Sequence, residues 1–180
     1  MQFVPTEIPD VLIIKPDVFR DERGYFMESF HEEKFRQLGA VRFVQDNESL
    51  SQKGVLRGLH FQRPPHAQGK LVRVIRGAVL DIAVDLRKSS ATFGKWVAIP
   101  LSGESKWQCW IPEGFAHGFL TLENDTIFSY KCTNFYHKES EGSIRWNDPV
   151  IGINWDFTNP VISGKDSVAP FFNPDECIFP

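Results

Sequence analysis

Short apolar runs recur along the chain, among them VLIIK, GYFMESF, VLRGLHFQ, KLVRVIRG, AVLDIAVDLR, KWVAIPL, KWQCWIP, FAHGFLTL and DTIFSYKCTNFY, each set off by Gly, Pro, Asn or Ser. That spacing predicts an all-β protein with about nine or more short strands. Within AVLDIAVDLR, Leu80, Ile82, Val84 and Leu86 fall on one face and Asp81, Ala83 and Asp85 on the other, the period-two pattern of a strand with one buried side. Arg76-Gly77 reads as the turn that feeds it. One segment departs from the pattern: Ser29 is placed to cap a short helix running through residues 31–38 and closing at Gly39. There is no internal repeat, low-complexity tract or linker, so residues 1–180 read as a single domain, with the last third, richer in Pro, Asn and Asp, wrapping the sheets as loops. Many short strands in one domain imply a sandwich, barrel or jelly roll, and a jelly-roll barrel has a mouth for a ligand.

Composition narrows the ligand more than the fold. With 42% hydrophobic and 24% charged residues the chain has the apolar material for a core and does not match a disordered sequence. A formal net charge of −3 offers no general attraction to nucleic acid or anionic membrane, so an anionic ligand must meet a local cluster of Arg and Lys. Cys109, Cys132 and Cys177 are far apart, odd in number and form no C-x-x-C pair, which points away from a disulfide framework or thiolate zinc site and towards a reducing cytoplasm. The opening MQFVPTEIPDVLIIKPD is broken by Glu7, Asp10 and prolines where a signal peptide needs an apolar run, and no later stretch reaches membrane-spanning length.

Candidate chemistry gathers in VLRGLHFQRPPHAQGKL, residues 55–71. Alternation puts Leu56, Gly58, His60 and Gln62 on one face, and a face with His and Gln but no large apolar group beyond Leu56 lines a cavity or meets water. Lys70 opens the next strand and would share that cavity if the two strands pair as a hairpin. Arg57, three residues from His60, belongs to the opposite face unless Gly58 introduces a bulge. His66, in the Pro-rich turn, reads as a rim or loop residue, and Trp107, Trp110 and Phe115 as packing. In TIFSYKCTNFY, Phe128, Tyr130, Cys132, Asn134 and Tyr136 share one strand face, so two phenols could project together.

The second cluster, IPEGFAHGF, carries P-x-G-x-x-H through Pro112, Gly114 and His117, and resembles the second motif of the cupins, small jelly-roll barrels whose first motif supplies H-x-H and a glutamate as metal ligands. Here Gln62 stands where the second histidine would be and Lys70 near the expected glutamate. An ammonium repels a divalent cation, so neither a metal nor a cofactor is expected. FRDERGYFMESF, QDNESLSQKGVLRGLHFQ, QGKLVRVIRGAVLDIAVDLRKSSATFGKW, WIPEGFAHGF, YKCTNFY, WNDPVIGINW and SGKDSVAP together resemble the dTDP-4-dehydrorhamnose 3,5-epimerase family over nearly the whole chain.

That resemblance implies a cupin-type jelly-roll barrel with one or more short helices. It also implies proton removal from C3 and C5 of a dTDP-4-keto-6-deoxyhexose, each carbon beside the C4 ketone, with reprotonation from the opposite face. Such chemistry needs a base, a group that stabilises the enolate and an acid. The family pattern assigns these to His60 with its partner carboxylate Asp166, to Lys70 and to Tyr130. Arg23 and Arg57 match the family's phosphate contacts and Tyr136 its base-stacking residue, while Glu28, Gln45, Asn47, His117, Glu141 and Lys165 match further binding positions. In similar proteins the segment bearing Arg23 and Glu28 is exchanged with a second subunit, which implies a homodimer. Without the resemblance, His60 would read as an exposed histidine, Asp166 as a turn aspartate and the tyrosines as packing residues. An enzyme inverting only C3 or C5, a ketoisomerase, a metal-dependent cupin and a non-catalytic sugar-binding jelly roll remain as alternatives.

Overall fold

A computed structural model describes residues 1–176 and 178–180, so Cys177 lies outside the described residues. Among the described residues thirteen strands run in chain order: β1 Gln2–Pro5, β2 Leu12–Lys15, β3 Val18–Asp21, β4 Gly24–Met27, β5 Gln45–Ser51, β6 Leu56–Gln62, β7 Lys70–Arg76, β8 Ala78–Asp85, β9 Trp96–Ser102, β10 Gln108–Ile111, β11 Phe115–Thr121, β12 Thr126–Cys132 and β13 Glu141–Ser143. They form a six-stranded sheet in the order β1-β2-β10-β7-β12-β5, a five-stranded sheet in the order β13-β6-β11-β8-β9 and a separate hairpin of β3 and β4, all antiparallel. From β5 onward, successive strands alternate between the two large sheets except at the β8–β9 hairpin. That winding makes a jelly roll, and it means that β6 and β7 do not pair as the hairpin expected from sequence. The two strands lie in different sheets, so His60 and Lys70 face each other across the barrel rather than along one ribbon.

Three apolar clusters explain why the sheets stay together. Between the sheets lie Val72 and Val74 of β7, Val79 and Ala83 of β8, Val97, Ile99 and Leu101 of β9, and Phe115, Phe119 and Phe128. Outside the five-stranded sheet, Leu59, Ile82, Val84 and Leu120 are covered by Ile144, Ile151, Trp155 and Phe172 of the C-terminal third. Outside the six-stranded sheet, Ile14, Leu71 and Trp110 are covered by Phe35. Burial on both faces corrects the reading of β8 as a one-sided strand. Asp81, Ala83 and Asp85 are as fully buried as Ile82 and Val84, because the C-terminal wrap covers the outer face while Asp81 and Ala83 point inward.

The helix expected over residues 31–38 is a single α turn, α1, Glu32–Phe35, followed by a 3-10 turn, Arg36–Leu38. Ser29 is not its cap. His31 occupies that position without a side-chain cap bond, and the Ser29 carbonyl instead accepts from the Gln108 side chain at 2.8 Å. Gly39 closes the turn with φ of 93°, where a residue without Cβ is at ease. A second turn, α2, Gly164–Ser167, is capped by the Ser163 hydroxyl, which accepts from the Asp166 N–H at 3.1 Å. No helix among the described residues is long and apolar enough to cross a membrane.

Candidate active site

The five-stranded sheet brings His60 of β6 directly opposite His117 of β11. Between them and Arg57 the register slips: His117 pairs with His60 but Phe119 pairs with Arg57, so three residues of β6 span the length of two on β11. This is the bulge that the Arg57 position required, and it turns Arg57 and His60 towards one cavity. Gly58 makes it possible. Its φ is 125°, and a Cβ there would sit 2.5 Å from the Gly118 Cα.

That cavity, about 530 Å³, is bordered by Arg57, His60 and His117 from one sheet, by Asn47, Lys70 and Tyr130 from the other, and by Lys165 and Asp166 of α2. An adjoining cavity of about 270 Å³ shares Asn47, His60, Lys70 and Tyr130 and adds Gln45, Tyr136 and Glu141. A larger open groove of about 610 Å³ includes only Gln45 of the expected site residues, so size does not mark the place where the titratable groups meet. Tyr136 arrives differently from the expectation. Strand β12 ends at Cys132, and Tyr136 lies on the segment beyond it, half-exposed, with its phenol donating to Glu141 at 3.1 Å and its backbone N–H to the Gln45 side chain at 2.8 Å.

Electrostatics follow from burial and pairing. His60 Nε2 is 2.6 Å from Asp166 Oδ1, and the Gly58 N–H donates to the other carboxylate oxygen at 3.4 Å. Burial alone would push the Asp166 carboxyl up, but the hydrogen bond and charge of His60, with the Gly58 N–H, outweigh it and hold the group below the usual aspartate range. Burial pushes the Lys70 ammonium down and the Tyr130 phenol up. Lys165 meets Glu141 at 2.5 Å, and this pairing outweighs burial to keep the Glu141 carboxyl below the ordinary glutamate value.

A second imidazole–carboxylate pair was not expected from sequence: His117 Nε2 is 2.7 Å from Asp81 Oδ1, with both residues buried. Burial raises the Asp81 carboxyl against the opposing pull of His117. The signal was present in AVLDIAVD, since an aspartate inside a strand buried on both faces must find a partner. The His117 ring rests on Phe128, with centroids 6.1 Å apart at 22°, and Phe128 stacks on Phe119 at 4.1 Å. Gln62 is buried with its amide bonded to three backbone groups. Among the described residues no three His, Cys, Asp or Glu side chains gather as a metal-ligand set. His66 lies outside both cavities and stacks on His137 at 3.9 Å.

Arg23 and Glu28 are not brought to these cavities within the chain. Arg23, at the β3–β4 turn, is largely exposed and pairs with Asp21 at 2.6 Å, while Glu28 pairs with Lys34. Phe19 and Phe26 on the same hairpin are about two-thirds exposed, an apolar surface that the described residues leave uncovered.

Comparison with known proteins matches this arrangement to one family. A model described as dTDP-4-dehydrorhamnose 3,5-epimerase covers residues 5–174. A protein of that description from Salmonella typhimurium is 57% identical over 176 residues, spanning 96% of each chain. Among solved structures, an epimerase from Legionella pneumophila in complex with dTDP-4-keto-L-rhamnose is 51% identical, with a TM-score of 0.91 over 94% of this chain and 92% of that one. A 3'-monoepimerase from Streptomyces bikiniensis, in complex with dTDP-quinovose, is 35% identical, with a TM-score of 0.87 over 93% of this chain and 86% of that one. The barrel is therefore of the cupin-like type that these epimerases share.

Proposed function

This chain belongs to the dTDP-4-dehydrorhamnose 3,5-epimerase family of isomerases, and on that premise we propose that it inverts C3 and C5 of a dTDP-4-keto-6-deoxyhexose to give dTDP-4-dehydro-L-rhamnose. The observation that carries the reading is the meeting of His60, backed by Asp166, with Lys70 and Tyr130 in one cavity, where His60 comes from one sheet and the other two from the sheet facing it. A sugar ring held between two sheets would meet a base on one face and an acid on the other, which is the requirement for inversion.

In the proposed step His60 takes the proton from C3. Its Nε2 is committed to Asp166, so the proton goes to Nδ1, and the carboxylate stabilises the imidazolium. The C–H electron pair becomes the enolate double bond and the carbonyl π pair moves to the C4 oxygen, whose charge the Lys70 ammonium stabilises. Tyr130 then donates its phenolic proton to C3 from the opposite face, the electrons return to the carbonyl, and solvent restores both side chains. The same sequence at C5 completes the reaction. No metal is needed, because the ammonium supplies the positive charge. Arg57 and Tyr136 serve the diphosphate and thymine, with His117, Gln45, Asn47, Glu141 and Lys165 as further contacts.

The chain acts as a homodimer in which the β3–β4 hairpin carries Arg23 and Glu28 into the partner's pocket, consistent with their distance from their own. Residues 1–180 form one catalytic unit working in the cytoplasm, where Cys109 and Cys132 stay as free thiols. Similarity favours double over single inversion, since identity to proteins described as 3,5-epimerases reaches 58% against 35% to the monoepimerase. The test is solvent exchange in deuterated water with dTDP-4-keto-6-deoxyglucose, followed by proton NMR. Deuterium should enter at both C3 and C5 with inversion at each; exchange confined to one carbon defeats the double-inversion reading.

A further inference from the structure

Gln62 takes no part in the proposed chemistry, yet its amide is held at both the nitrogen and the oxygen. It ends β6, two residues beyond His60, and is 4% exposed. Its Nε2 donates to the His66 carbonyl at 2.6 Å and the Phe135 carbonyl at 3.1 Å, and its Oε1 accepts from the His137 N–H at 2.6 Å. Both amide hydrogens are thus spent on backbone carbonyls, and the acceptor on a backbone N–H. These three groups belong to two segments that leave opposite sheets, one after β6 and one after β12. A single buried amide therefore ties the two rims of the barrel together.

The segment after β12 is held at Phe135 and at His137, the two residues that flank Tyr136. The Tyr136 ring is consequently fixed from both sides before any ligand arrives, and its own bonds to Gln45 and Glu141 complete the restraint. Stacking of His66 on His137, with planes 8° apart, packs the same junction. Ordering a loop beforehand removes that cost from binding.

We propose that Gln62 is a positioning residue that presets Tyr136, and through it the affinity of the pocket for the nucleotide end of the substrate. The inference rests on the reading of Tyr136 as the thymine contact. A glutamate at this position keeps the length and the acceptor but turns an oxygen towards two carbonyls; a methionine keeps the length and loses all three bonds.

The experiment measures dTDP affinity by calorimetry, together with kcat and KM, for the parent, Gln62→Glu, Gln62→Met, Tyr136→Ala and the Gln62→Met/Tyr136→Ala double variant. Each Gln62 change should weaken dTDP and raise KM about tenfold while kcat stays within about threefold, and the loss should vanish in the Tyr136→Ala background. Unchanged dTDP affinity, an equal fall in kcat, or full additivity with Tyr136→Ala overturns the proposal while leaving the epimerase reading intact. A parent that does not bind dTDP, or a Tyr136→Ala variant that binds it as well as the parent, defeats the nucleotide reading and this inference with it. Should both Gln62 variants fail to fold, amide exchange in the parent decides: the His137 N–H should exchange as slowly as those of the neighbouring strands, and rapid exchange overturns the clamp.

Discussion

His60 could have been an ordinary exposed histidine; what changes its chemistry is the Asp166 carboxylate 2.6 Å from Nε2, delivered by a four-residue turn more than a hundred positions away. Replacing His60 by Asn should lower kcat by on the order of a thousandfold, and Asp166→Asn by on the order of a hundredfold, with dTDP affinity within about threefold of the parent in both. Turnover assays beside dTDP calorimetry check this, and near-parental turnover in Asp166→Asn would remove the pair from the mechanism. Lys70 gives a pH signature. Burial lowers its pKa, so its positive charge is complete below that lowered value and is lost as pH rises through it, whereas burial raises Tyr130 and keeps the phenol protonated over the same interval. The kcat profile between about pH 7 and 11 should therefore fall at lower pH than a free lysine would give, and Lys70→Arg, slower overall, should lack that fall. An identical alkaline limb in Lys70→Arg would assign it to another group.

At the level of elements, the bulge in β6 decides whether the site exists. Simple alternation separates Arg57 from His60, and only the extra residue at Gly58 brings both to the cavity. Gly58→Ala would combine a positive φ with a Cβ 2.5 Å from the Gly118 Cα and 2.9 Å from the His117 carbonyl oxygen. The loss should be about 3 kcal/mol or more by urea denaturation, with activity reduced even in the folded fraction. Parental stability in this variant would mean that the strand can straighten without cost. How far the elements were legible depended on where their cover comes from. Alternation located β6, β7 and β8 well, because a strand needs only its own residues to show its period, but it carried β12 past its end at Cys132 to Tyr136. It took the face of Asp81, Ala83 and Asp85 for the open side of β8, because that face is enclosed by other strands of the barrel, with Val72, Val74 and Phe128 packed in the same cluster as Ala83. It also took β6 and β7 for a hairpin, since no local rule reports that the chain changes sheets after Gln62.

For the whole molecule, the exposed hairpin of β3 and β4 makes the subunit arrangement testable. If Arg23 serves the partner's pocket, a mixed dimer of His60→Asn and Arg23→Ala chains contains one site with both defects and one with neither. Co-expression of the two inactive variants should restore about a quarter of parental activity, since about half of random dimers are mixed and each has one intact site. No recovery, with mixed dimers demonstrated by tagged purification, would place Arg23 in its own chain's pocket, and an Arg23→Ala chain active by itself would place it in none.

Sequence by itself determined the all-β class and the likeness to nucleotide-sugar epimerases, and through that likeness it named about half of the residues bordering the two cavities, because period is local and a family pattern needs only residue order. Tertiary structure decided which groups touch. It set His60 against Asp166 and His117 against Asp81, faced Tyr130 towards His60 across two sheets, and left Arg23 and Glu28 outside their own chain's pocket. The physical reason is that hydrogen bonds and desolvation act over a few ångströms of space whatever the separation along the chain, and only the closed barrel brings positions 60, 130 and 166 within that range.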